Sequence, residues 1–311
     1  MTSTETTAAA SAPASPTRAT TEPPTVPIRR QLRGPDPEAV ARVVAAALAE
    51  DLAFGDPTTD GLFEPEASAA MSLLVKEPGI VCGLPIVAAV FSALDPAVAV
   101  ASLVADGDAI DAVPTEIARV TGPTRAILSG ERTALNLLGR LSGIATLTAR
   151  CVAELDGTGA TLLDTRKTTA GLRELEKYAV RCGGGTNHRL NLGEALLVKD
   201  NHLRLFGGIE AAVARLRQSA PRLRLEVEAE TLDDVRAALH AGVNRILLDN
   251  MSLDEMRRAV ALIGHDVESE ASGGITLANL RAVGETGVEF VSLGALTHSA
   301  RALDVSLEVA R

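Results

Sequence analysis

The residues with the strongest chemical potential lie between Asp164 and His202. This stretch carries seven Lys or Arg (Arg166, Lys167, Arg173, Lys177, Arg181, Arg189, Lys199) against five Asp or Glu, in a 311-residue chain whose formal net charge is −10. Its charge excess and its near-monopoly on lysine, with Lys76 the one lysine outside it, point to a site for an anionic small molecule. Guanidinium groups match planar carboxylates through paired hydrogen bonds, whereas an ammonium acts as a mobile point charge. Arg132, Arg166 and Arg189, with Lys167, Lys199 and His188, are more cations than one phosphate needs, and suit a dicarboxylate held beside a phosphorylated sugar. His188 and His202 add switchable donors. Arg173, Lys177 and Arg181, four residues apart with Glu174 and Glu176 between them, read instead as a solvated helix face with intrahelical ion pairs. Arg132 has an equal alternative as a buried helix residue.

Downstream the chemistry changes sign. Glu228 and Asp249 each close an apolar run, and two hard oxygen ligands aimed at one space suit Mg²⁺ shared with substrate phosphates. The SGGIT segment, with Ser272, Gly273 and Gly274 ahead of an expected helix, offers free amides at a positive helix end. Leu293, Gly294 and Ala295 offer a second small-residue turn, and the two together form a phosphate cradle.

Positioning these groups requires a regular scaffold. Beyond Gly159 the apolar runs TLLD, ALLVKD, LRLEVEA, RILLDN, VESEASGG and FVSLGA alternate with helical segments, which predicts about six β/α units with parallel strands. The polar residues recur at the strands' C-terminal ends, the ends that converge on one mouth in a β/α barrel. Before Gly159 the pattern is mixed. A helix is expected from Pro35 to about Glu50, entered at Asp36 and Pro37. Strands are expected at SLLVKE, GIVCG, AVASLV and EIARVTG, with a helix at PIVAAVFSALD. A long helix over ERTALNLLGRLSGIATLTARCVAEL, with Leu135, Leu138, Leu141 and Leu147 facing a core, links this first domain, ending near residue 130, to the second.

Composition removes other classes. One Tyr, five Phe and no Trp leave little for base stacking, and the acidic balance disfavours a duplex-binding surface, so no nucleic acid is expected. Cys82, Cys151 and Cys182 are an odd number without a CxxC pair, which fits a reducing cytoplasm. No apolar run approaches a membrane span. Residues 1–30, rich in Ala, Ser, Thr and Pro, read as a disordered tail, and Glu5 and Glu22 weaken a transit-peptide reading.

The segments ERTALNLLGRLSGIAT, DTRKTTAGLRELEKYAVRCGGGTNHR, LVKDNH, EVEAETLDD, ILLDNMS, EASGGI and SLGALTHSARALDVSL resemble the quinolinate phosphoribosyltransferase family, in order from about Pro35 to the C-terminus. The resemblance implies an N-terminal α+β sandwich (31–134), a partial α/β barrel (135–296) and a C-terminal segment (297–311) packing back on the sandwich. It implies a homodimer in which one subunit completes the other's site. It assigns quinolinate contacts to Arg132 (across the dimer), Thr165, Arg166, His188, Arg189 and Lys199, and places Lys167 near both substrates. Glu228 and Asp249 would serve Mg²⁺ and the ribose hydroxyls, with Lys167, Glu228 and Asp249 as the catalytic set. Ser272, Gly273, Gly274, Leu293, Gly294 and Ala295 would hold the 5′-phosphate of phosphoribosyl pyrophosphate. The implied products are nicotinate mononucleotide, pyrophosphate and carbon dioxide. Pro57 in the GDPTT turn and Arg301 after THSA depart from the family pattern. Two competing activities remain: a Schiff-base aldolase or lyase using Lys167 or Lys199, and a phosphoribosyltransferase for a related pyridine carboxylate such as nicotinate.

Overall fold

The computed structural model describes Met1 and residues 33–310, so the tail expected over residues 1–30 lies outside the described residues. Helix α1 (Pro37–Asp51) begins as its sequence predicts: the Asp36 carboxylate accepts the amides of Glu38 and Ala39, and Pro37 occupies the first turn. Helix α2 (Pro57–Leu62) repeats the device, with Asp56 accepting the Thr59 amide at 3.0 Å. Pro57 therefore sits where its missing N–H costs nothing, which explains the first departure.

Strands β1 (Ser68–Val75) and β2 (Gly79–Ile80), helix α3 (Leu84–Leu94), and strands β3 (Ala99–Ser102), β4 (Ala109–Ile110) and β5 (Thr115–Pro123) follow. They lead into α4 (Thr124–Leu155), 32 residues long. The sequence reading starts this helix at Glu131, seven residues late, and no side chain caps its true start to mark it. Pro123 closes β5, and the helix starts directly behind it with Thr124, Ile127 and Gly130 buried. Leu135, Leu138 and Leu141 are buried, and Leu147 packs half-buried against the same core.

The second half delivers the six expected units. They are β6 (Thr161–Leu163), α5 (Arg173–Cys182), β7 (Leu196–Val198), α6 (Asp200–Phe206), α7 (Ile209–Ser219), β8 (Leu225–Ala229), α8 (Leu232–Ala241), β9 (Arg245–Asp249), α9 (Leu253–Ile263), β10 (Glu268–Ser272), α10 (Leu280–Gly284) and β11 (Phe290–Ser292). A final turn of helix, α11 (Ala295–His298), and strand β12 (Val305–Val309) end the described chain.

Two principal sheets organise these elements. An antiparallel sheet runs β12-β1-β5-β3, so the last strand pairs with the first. A parallel sheet runs β6-β11-β10-β9-β8-β7, leaving β6 and β7 at opposite edges as in a barrel left open at one seam. Thr186 bridges to Leu163 beside β6, so the residues after α5 run along that edge. The segment before β12 lies directly on α4: the Leu303 amide donates to Gly139 O at 2.9 Å, and a Cβ at Gly143 would collide with the Arg301 carbonyl. The Arg301 side chain pairs with Glu77, which also accepts the Asp304 amide, and this pairing explains the second departure.

Candidate active site

Because the six strands are parallel, Asp164, Lys199, Glu228, Asp249, Ser272 and Gly294 all lie at the C-terminal end of the sheet's strands. Glu228 and Asp249 meet as expected, and Glu230 joins them, with carboxylate oxygens within 4.8 Å of one another. Sequence reasoning missed Glu230, although EVEAE, with acids at every second residue from Glu226, sets Glu226 and Glu228 on one face of β8 and Glu230 just past its end. Lys199 Nζ lies 3.4 Å from Glu228. Burial raises the Glu228 pKa, Lys199 pulls it down and Asp249 pushes it up, with a net rise. Three mutually repelling hard oxygen donors are the set that fits Mg²⁺.

The cation side is built differently. Arg166 has a fully buried Nε with no hydrogen-bond partner among the described residues. Arg189 donates to Ala195 O at 2.8 Å, and its pKa is lowered by burial and then by the neighbouring Arg166 charge. Two guanidinium groups therefore repel each other at a mouth that leaves a buried donor unmet. Thr165 Oγ1 accepts the Lys167 amide at 3.0 Å, and Lys167 O accepts Thr297 Oγ1 at 2.8 Å. The Lys167 stem crosses Gly294 so closely that a Cβ there would lie 2.8 Å from its Cδ. Lys167 thus spans from the β6 loop to the Leu293–Ala295 turn.

The glycine turns carry a correction. Gly273 and Gly274 both take left-handed conformations, φ +86° and +62°, and a Cβ at Gly273 would strike the Asn250 side chain. Asn250 is itself left-handed (φ 55°), the one such non-glycine among the described residues, and it donates to Asp249 Oδ2 at 2.6 Å. The positive helix end expected behind Ser272 is absent there: Asn279 accepts the Thr276 amide in a turn, and α10 starts only at Leu280. Any anion site here rests on the glycine-turn amides alone.

The helix-face reading of Arg173, Lys177 and Arg181 is overturned. Lys177 is 1% exposed, bonds to the buried Asp164 and donates to His188 O at 2.8 Å. Glu176 is fully buried against Arg140, 2.8 Å away, while Arg173 donates to Thr168 Oγ1 and Leu190 O. Arg181 donates to Asn187 Oδ1 at 2.7 Å. Helix α5 is enclosed by α4 on one side and by residues 187–190 on the other, so its charges pair across elements. Spacing within one helix cannot report that. Arg132 is exposed on α4 with no hydrogen bond or ion pair among the described residues, which removes its buried alternative.

Both ring nitrogens of His188 are engaged inside the chain. Nε2 lies 3.1 Å from Glu226 and 3.4 Å from Glu270, and Nδ1 accepts the Arg189 amide at 2.7 Å. Burial alone would lower its pKa, but the two carboxylates outweigh it and push it up to about 9. His202 is a capping residue, its Nδ1 accepting the Lys199 amide at 3.0 Å. All three cysteines are buried and free, and Cys82 and Cys182, distant in sequence, meet beside Asp106. The aldolase reading loses both of its lysines, since neither lies in an apolar pocket: Lys167 is exposed, and Lys199 has a half-exposed side chain beside the Glu228 carboxylate.

Fold and site together define a barrel enzyme for small molecules bearing several negative charges. Residues 56–142 match the family model for the quinolinate phosphoribosyl transferase N-terminal domain, and residues 144–308 match that for its C-terminal domain. The chain is 45% identical over 261 residues to "Probable nicotinate-nucleotide pyrophosphorylase (carboxylating)" of Bacillus subtilis (strain 168), covering 84% of this chain and 90% of that protein. It is 38% identical to nicotinate-nucleotide pyrophosphorylase (carboxylating) of Mycobacterium leprae, covering 88% and 98%. The solved structure of nicotinate-nucleotide pyrophosphorylase from Francisella tularensis superimposes with a TM-score of 0.86 at 37% identity, covering 91% of this chain and 100% of that one. The chain belongs to the quinolinate phosphoribosyltransferase family. No helix among the described residues is long and apolar enough to cross a membrane.

Proposed function

We propose that this enzyme transfers the phosphoribosyl group of phosphoribosyl pyrophosphate to quinolinate and releases carbon dioxide, giving nicotinate mononucleotide and pyrophosphate for NAD biosynthesis. The observation that carries the reading is the buried, unpartnered Arg166 Nε beside the repelling Arg189. A buried donor without an acceptor is costly, and a substrate carboxylate removes that cost while easing the repulsion between the two cations. Arg166 and Arg189 grip the dicarboxylate, Lys199 stands between it and the acids, and Lys167 reaches both substrates.

Fixing both carboxylates aligns the pyridine ring before transfer, so the ring nitrogen can attack the anomeric carbon as the bond to pyrophosphate breaks. Glu228 and Asp249 face the positive charge that develops on the ribose. Mg²⁺ bound by Glu228 and Asp249, with Glu230 beside them, would neutralise the departing pyrophosphate. After transfer the ring nitrogen is cationic and stabilises the carbanion left when carbon dioxide leaves the adjacent carbon, which then takes up a proton. The amides of Ser272–Gly274 and Leu293–Ala295 receive the 5′-phosphate.

In this reading the enzyme is a cytoplasmic homodimer, and the site is shared between its subunits because Arg132 is exposed with no hydrogen bond or ion pair among the described residues. Mixing Arg132→Ala and Lys167→Ala chains, each inactive alone, then restores some activity. No recovery in demonstrated heterodimers rejects the shared site. The activity itself is tested by product analysis with quinolinate, phosphoribosyl pyrophosphate and Mg²⁺: nicotinate mononucleotide and carbon dioxide form together, and nicotinate does not replace quinolinate. Equal turnover of nicotinate removes the substrate assignment.

A further inference from the structure

Beneath the cations lies a charged layer that the proposed chemistry does not use. Glu226 on β8, Arg245 on β9 and Glu270 on β10 come from three adjacent strands, with Glu226 registered opposite Arg245. Glu226 is 6% exposed and Glu270 fully buried, and Oε1 of each has no hydrogen-bond partner among the described residues. Arg245 donates to Glu270 Oε2 at 2.9 Å and stacks on Phe290 with its guanidinium carbon 4.0 Å from the ring centroid, which anchors Glu270 from the side.

Two buried carboxylates under a receptor for a dianion oppose binding by like charge, so charge alone gives no reason for them to be there. The geometry supplies one. Their oxygens converge on His188 Nε2, and the opposite ring nitrogen holds the Arg189 amide. We propose that Glu226 and Glu270 are positioning residues for the quinolinate clamp: they fix the His188 ring, and through it the main chain of Arg189, so that the Arg189 guanidinium stands beside Arg166. The inference rests on the quinolinate reading of the site.

Steady-state kinetics of Glu226→Gln and Glu270→Gln, with melting temperature as a check on folding, separates positioning from charge. The proposal expects KM for quinolinate to rise about tenfold or more, the cost of losing a hydrogen bond to a charged group, with KM for phosphoribosyl pyrophosphate nearly unchanged. Carboxylates acting only through charge predict the opposite, a lower KM for quinolinate in both variants. Glu226→Asp keeps the charge but shortens its reach, so it is expected to raise KM for quinolinate too, and it covers the case in which a Gln variant fails to fold. An unchanged or lowered KM for quinolinate, or a parallel rise in both KM values, overturns the proposal. Absence of quinolinate turnover by the unaltered enzyme instead removes the reading on which it rests.

Discussion

The floor and the mouth of the half-barrel handle charge in opposite ways. The floor comprises the buried charges that are paired within the chain, whether below the mouth or, like Asp164 and Glu176, beside it: Lys177 meets Asp164, Glu176 meets Arg140, and Glu270 meets both His188 and Arg245. At the mouth, Arg166 keeps a buried donor without an acceptor, and three carboxylates crowd together. A charge compensated inside the chain serves the fold or, as at Glu226 and Glu270, holds the clamp in place, whereas like charges left facing one another are held for a ligand that compensates them. Folding energy is spent at the mouth and recovered only on binding, so removing a charge should weaken the floor and spare or strengthen the mouth.

The strongest challenge to that contrast is Lys177→Ala. It leaves Asp164 buried without its cation, and unfolding in urea should show a loss of about 3–5 kcal/mol. A loss below about 1 kcal/mol would mean that Asn187 and the His188 amide suffice for Asp164, and the floor would lose its defining pair. Arg166→Ala tests the mouth: stability should be unchanged or slightly raised, while kcat/KM for quinolinate falls about 100-fold, within the range for truncating a buried charged partner.

A smaller effect comes from His188. Its pKa is raised from 6.5 to about 9 in the folded state, so its contribution is fully present below pH 6.5 and is lost as pH rises through 9. Between those limits urea unfolding should report a decline on the order of 2 kcal/mol, absent in His188→Gln. The decline is limited because protonation puts a hydrogen on Nδ1 and so costs the Arg189 amide bond that the neutral ring accepts there, while Nε2 faces both carboxylates in either state. The smallest effect is expected of Arg301→Ala, at most about 1 kcal/mol, since that side chain is largely exposed in its pair with Glu77. A larger loss would show that the segment before β12 depends on this pair as well as on its contact with Gly139 and Gly143.

The sequence made the mouth more legible than the floor. Glu228, Asp249, Lys199 and Gly294 announce themselves because the alternation of apolar runs with helices puts the C-terminal end of each run at the mouth, and parallel pairing brings those ends together. The Asp164–Lys177 and Glu226–His188–Glu270 sets stayed hidden because each joins different elements, neighbouring ones in the first set and distant ones in the second, and no single-helix or single-strand period encodes such pairing. Lys177 is the clearest case. Its spacing from Arg173 and Arg181 imitates a solvated face, yet its burial is set by α4 and by residues 187–190. The missing helix end behind Gly274 failed for another reason, since a Gly pair followed by a polar turn resembles a helix entry until Asn279 is seen to close the turn with Thr276.

The most direct test of the central claim is the shift in melting temperature produced by quinolinate in the unaltered enzyme and in Arg166→Ala. A ligand at about 100 times its Kd stabilises its protein by about 2.7 kcal/mol, a shift of several degrees or less in a chain of this size. The contrast between floor and mouth predicts a clear upward shift for the unaltered enzyme, and none for a variant whose own melting temperature is at least as high. An Arg166→Ala variant that melts lower without ligand, yet keeps the full quinolinate shift, would contradict it, because Arg166 would then be a structural charge like those on the floor.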